Sequence, residues 1–160
     1  MSQSQLLADQ MERAFRGGAW HGPSVLEALA GVDAALAAAR PFPGAKTIWE
    51  LVRHLTVWNE VPRRRLDGEA IEDVPEEVDW PPIRDLSAAA WQAALAALEA
   101  AHEALHARVL DLADDQLDEP VPGSDPTVRG MLLGVLQHNA YHAGQIVLLR
   151  KAQGGERSRT

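Results

Sequence analysis

His138 and His142 stand four residues apart in a stretch whose apolar residues, Val128, Met131, Val135 and Leu149, recur at helical intervals. Both imidazoles therefore fall on the inward face of one helix, about 5–6 Å apart at Cβ. An imidazole on a helix seam costs burial energy unless its nitrogens find partners, and two rings so placed can share one partner, a metal ion. His54 lies on a second periodic stretch, between Leu51 and Trp58, and can supply a third nitrogen from across a bundle. Three neutral imidazoles suit zinc, nickel, copper or iron, while magnesium and calcium prefer oxygen. Three protein ligands also leave one position for water or a substrate heteroatom, where a bound water or thiol loses its proton more readily. The competing reading makes these ordinary histidines hydrogen-bonded to carbonyls or carboxylates. His102 and His106 are also four apart; His102 is on a seam and His106 off it, so His102 is expected at most to touch or support the site. Gln145, one turn beyond His142, is placed to face a pocket, with Tyr141 and Asn59 as weaker candidates for orienting a substrate. His102, Glu103 or Glu60 would be the residue to close the fourth position in a purely structural site. His21 belongs to a loop.

The elements that must position these residues are helices. Residues 3–16 carry Leu7, Met11 and Phe15 on one face; Ser24 with Glu27 caps a short helix, and an Ala-rich turn or two follows over 32–40. Thr47 with Glu50 opens a long helix through Leu51, His54, Trp58 and Val61, in which Pro62 should kink or unwind the chain before Gly68 closes it. Ser87 caps a third long helix with the stripe Trp91, Leu95, Leu98, His102, Leu105, Val109, Leu112, and the last runs from about Thr127 to Ala152. Pro75 to Pro82 is taken as a linker in which Trp80 could cap a groove or a dimer edge. The expected architecture is an all-α four-helix bundle over residues 1–153, with short extra helices between helices 1 and 2 and a flexible C-terminal tail at 154–160.

Composition narrows the chemistry. With no cysteine, thiolate catalysis and Cys-ligated metals are excluded, so any thiol must come from outside. A net charge of −8 opposes a phosphate backbone and argues against nucleic acid. The run Arg63-Arg64-Arg65 is most simply a solvated face with acidic neighbours, although it could attract an anionic thiol cofactor. No apolar run approaches a membrane span and the N-terminus lacks a secretory pattern, so no membrane partner and a cytoplasmic location are expected.

The segment His138-Asn139-Ala140-Tyr141-His142-Ala143-Gly144-Gln145-Ile146 resembles the signature of the DinB/YfiT superfamily, and Ile48 to Trp58 resembles its other ligand-bearing helix. Trp20-His21-Gly22-Pro23-Ser24, the Trp91 helix and the Val121-Pro122-Gly123 turn extend the similarity over nearly the whole chain. The resemblance implies that His54, His138 and His142 bind a divalent metal, nickel or zinc, inside a four-helix bundle that commonly forms a homodimer. It also implies a metal-dependent transferase activating a low-molecular-weight thiol against a small-molecule substrate, the alternatives being a non-catalytic metal-binding stress-response bundle or a metal-dependent hydrolase.

Overall fold

The computed structural model describes residues 1–154; the expected flexible tail falls, apart from Gly154, outside the described residues. Four long helices carry the fold: α1 (Gln3–Arg16), α4 (Ile48–Leu66), α6 (Ala88–Leu110) and α7 (Val128–Ala152). Between the first two lie the short α2 (Val25–Leu29) and α3 (Ala34–Ala38), and between α4 and α6 lies α5 (Glu76–Asp79). A 3-10 turn at Asp114–Asp118 precedes α7. Ser2, Ser24, Thr47, Ser87 and Thr127 each accept a hydrogen bond from a backbone N–H in the first turn of the helix they open, which is why these helices begin where they do. At Ser2, Ser24 and Thr47 the residue three positions on, Gln5, Glu27 or Glu50, returns a bond to the cap backbone. α4 continues through Pro62 without the expected unwinding; the proline forgoes one backbone bond, and buried Val61 and Arg65 hold the last turn in place.

The long helices are not a simple up-and-down series. Arg108 near the end of α6 reaches Asp67 and the Leu66 carbonyl at the end of α4, so α4 and α6 run side by side in the same direction. Parallel neighbours need a long connection, and residues 67–87 cross back over the molecule to make it. α1 lies antiparallel to α6, with Arg16 on Glu99 and Glu103, and Asp114 accepts from the Gln3 and Ser4 amides at the far end. α2 and α3 cover the end where α1 and α7 finish and α4 and α6 begin: Arg150 bonds the Glu27 and Ala28 carbonyls, and Trp91 bonds that of Val32.

The core has two apolar levels. One gathers Phe15, Trp49, Leu55, Trp91, Leu98 and Ile146 beneath α2 and α3; the other gathers Leu7, Met11, Leu105, Val109, Leu132 and Val135. In chain order Asn59, His102 and Asn139 fall between the two on three different helices, all buried. The three histidines of interest lie on α4 and α7 near this polar waist.

Candidate metal centre

α4 and α7 pack together, and the spacing of their seams turns His54 toward His138 and His142. His138 Nε2 lies 2.9 Å from His54 Nε2 and 2.9 Å from His142 Nε2. The ligand atoms of the three side chains all lie within 4.8 Å of one another, and no other His, Cys, Asp or Glu among the described residues joins them. His54 and His142 are buried and His138 is half-buried.

Hydrogen bonds behind the rings set their tautomers. His54 Nδ1 is 2.8 Å from Asp79 Oδ1 and 3.1 Å from the Asp79 carbonyl, both acceptors, so Nδ1 carries the proton and Nε2 the lone pair. His142 Nδ1 is likewise 2.6 Å from Gln145 Oε1, and the Gln145 amide donates to Tyr141 Oη at 3.1 Å. Trp58 Nε1 donates to the same Asp79 oxygen at 2.6 Å, and Trp80 stacks on the His54 ring at 3.9 Å with the planes 2° apart. Two lone pairs thus converge on the Nε2 of His138, which can donate one proton to only one of them, while its buried Nδ1 has no partner. Burial and the neighbouring imidazoles push the His138 pKa down to about 3, and burial lowers that of His142 against the opposing Gln145 bond, so neither of these two rings takes a second proton at neutral pH.

Nitrogens about 2.0–2.1 Å from a common zinc ion would lie about 2.9–3.4 Å apart for ligand angles between a right angle and tetrahedral. The two 2.9 Å separations fit that spacing, and the lone pairs that have no proton to share are what a cation would take up. The carboxylate–histidine arrangement at His54 is the usual outer support of a metal ligand. The cluster could therefore hold a metal ion with a fourth position open.

Two cavities reach the cluster. One of about 430 Å³ meets His142 and is lined by Phe42, Lys46, Trp80, Tyr141, Gln145 and Leu148 among others. The other, about 390 Å³, meets His54 and His138 and is lined by Trp58, Arg65, Asp79, Met131, Gly134 and Val135 among others.

The remaining candidates are elsewhere. His102 is fully buried against α1, its Nε2 2.9 Å from Glu12 Oε2 and its ring stacked on Phe15; burial holds it neutral, below its ordinary pKa. Glu103 pairs with Arg16, Glu60 is exposed, and none of the three closes the fourth position. Asn59 donates to the Leu55 carbonyl at 2.7 Å and lines neither cavity, so its part in the site has no contact to support it. Sequence reasoning overlooked Asp79. Its helix is a single turn in a stretch that reads as linker; Pro75 followed by two glutamates was the one local mark of a helix start.

A bundle with a crossover and a cluster of three imidazoles defines an all-α protein with a candidate metal centre. The family model described as the DinB superfamily matches residues 19–146, and the chain belongs to that superfamily. A solved chain described as the conserved protein of locus from Enterococcus faecalis is similar over 98% of this chain and 99% of that one, with a TM-score of 0.68 and 19% identity, a likeness that speaks for the fold. No curated protein matches the chain.

Proposed function

We infer that the protein binds one divalent ion, nickel or zinc, through His54, His138 and His142, and uses it to transfer a small external thiol to an electrophilic substrate. The observation that carries the metal reading is the convergence of three Nε2 atoms, two pairs at 2.9 Å, with too few protons to satisfy them. Such an ion supplies a Lewis acid with an open position, at which a thiol or water gives up its proton near neutral pH. Asp79 and Gln145 hold the rings of His54 and His142 with their lone pairs forward, and Trp80 covers the His54 ring. Tyr141, tied to Gln145, stands at the rim of the cavity on the His142 side.

In the transfer the sulfur forms a bond to carbon, the leaving group departs with its electron pair, and the thiol proton passes to solvent. Two cavities meeting one cluster favour this two-substrate reaction over hydrolysis, which needs only one organic substrate. The fourth position, which no His, Cys, Asp or Glu among the described residues fills, favours chemistry over a purely structural ion. The test is a screen of several low-molecular-weight thiols against a chromogenic aryl chloride, before and after chelation and after adding back nickel or zinc. Turnover that is lost on chelation and restored by metal is expected; metal-loaded protein inert with every thiol would leave the non-catalytic bundle standing instead.

A further inference from the structure

The run Arg63-Arg64-Arg65 is split by the fold. Arg63 pairs with Asp67 and Arg64 with Glu69, both on the surface. Arg65 turns inward, is only 8% exposed, and lines the cavity that meets His54 and His138. Its Nε and Nη2 donate to the Ile71 carbonyl at 3.1 and 2.6 Å, and no carboxylate pairs with it among the described residues. A buried guanidinium with a carbonyl as its partner keeps its charge uncompensated, which is costly unless an anion visits it. Burial alone shifts its pKa, downward.

The walls of this cavity are matched to a small molecule. His54, Trp58, Pro62 and Arg65 recur at steps of four, four and three on α4, so the guanidinium and the histidine cluster mark opposite ends of one groove. On the facing helix, Met131, Val135 and His138 form the other wall. Gly134 lies among them in the interior of α7, where glycine is a poor helix former. Its backbone is not left-handed, and a Cβ there would meet nothing within 4 Å, so neither conformation nor packing asks for glycine. Its bare backbone keeps the groove open. The one carboxylate on the lining, Asp79, is engaged by Trp58 and His54.

We propose that this groove is the subsite of a small organic acid, whose carboxylate pairs with the Arg65 guanidinium and whose apolar body lies along Trp58, Met131 and Val135, presenting its far end to the three histidines. The proposal rests on the metal-dependent transfer reading for what happens at that far end; recognition of the acid does not require the ion.

The test ranks 4-phenylbutanoate against the neutral 4-phenylbutanol by calorimetry, with the change in total tryptophan fluorescence as a second readout, in metal-loaded and in chelated protein. The acid should bind about tenfold tighter than the alcohol at low salt, the size of one charge-assisted pair. Arg65→Gln, which keeps a donor for the Ile71 carbonyl, should remove that preference while the alcohol still binds. Gly134→Leu should exclude both probes with folding and metal content unchanged, and it serves if the Arg65 variant does not fold. Metal analysis of the same samples separates the two readings: absence of bound ion would count against the transferase, while the ranking of acid and alcohol stands by itself. Equal affinities for acid and alcohol in the wild-type protein, or an acid preference that survives Arg65→Gln, would overturn the subsite. A thiol-bearing acid, 6-mercaptohexanoate, adds a further arm. Binding tighter with metal than without assigns the groove to the thiol, and no gain assigns it to the electrophile, the acid subsite being supported in either case.

Discussion

His138 sits between two other imidazoles and has no hydrogen-bond partner of its own for Nδ1, so its place in the bundle is explained by what its Nε2 can share. Replacing it by alanine should take the metal content of the purified, untagged protein from about one ion per chain to near zero, with the helical circular dichroism retained. Asp79→Asn should act more gently. The amide can still accept from His54 Nδ1 but carries no charge, and loss of an outer carboxylate typically weakens metal affinity about 10–100-fold. A competition titration with a chelator checks it, and an affinity equal to wild type would remove Asp79 from the centre. The histidines are legible in the sequence because two of them interrupt an apolar stripe at a four-residue interval and the third occupies the corresponding position of another stripe. Asp79 is not, since no periodicity links it to His54; Trp80 is legible as a residue to cap a groove but not as the neighbour of His54, and both reach it because residues 67–87 must cross the molecule.

Among elements, the helices announce themselves through caps and stripes: Ser24 with Glu27 at the short α2, and Thr47 with Glu50, Ser87 and Thr127 at the starts of long ones. The direction of α6 relative to α4 is not legible, because amphipathic stripes record which face is buried and not which neighbour buries it. The crossover is held in part by Gly123, whose φ of +68° suits glycine and whose missing Cβ would lie 3.1 Å from the Ile71 amide nitrogen. That turn presses on the segment whose carbonyl receives Arg65. Gly123→Ala should therefore cost about 1–2 kcal/mol from backbone strain alone. Thermal unfolding should show this as a fall of a few degrees, and a variant as stable as the parent would mean that the turn does not bear on the crossover.

At the scale of the whole molecule, three imidazoles with lowered pKa values, His102, His138 and His142, make stability depend on pH. Burial pushes His138 to about 3 from the ordinary 6.5 and lowers His142 and His102 as well. In the unfolded chain these rings take up protons near pH 6.5, while in the folded, metal-free protein they stay neutral to lower pH. The unfolded state then binds more protons, so their contribution is complete above about pH 6.5 and drains as pH falls, in the case of His138 down to about 3. The melting temperature of metal-free protein should drop between pH 7 and pH 5, and that of metal-loaded protein more steeply, because protonated imidazoles cannot hold the ion. A flat profile would mean that the rings take up protons in the fold as readily as in the unfolded chain. No helix among the described residues is long and apolar enough to cross a membrane.

What the three Nε2 atoms hold decides the chemistry of the protein. X-ray absorption at the metal edge of untagged protein, taken with its metal-to-protein ratio, reads this directly. One nickel or zinc ion per chain is predicted, with three imidazole nitrogens at about 2.0–2.1 Å and the remaining position taken by a non-protein ligand. A chain that holds no ion at saturating metal, or an ion bound by other residues, would contradict it.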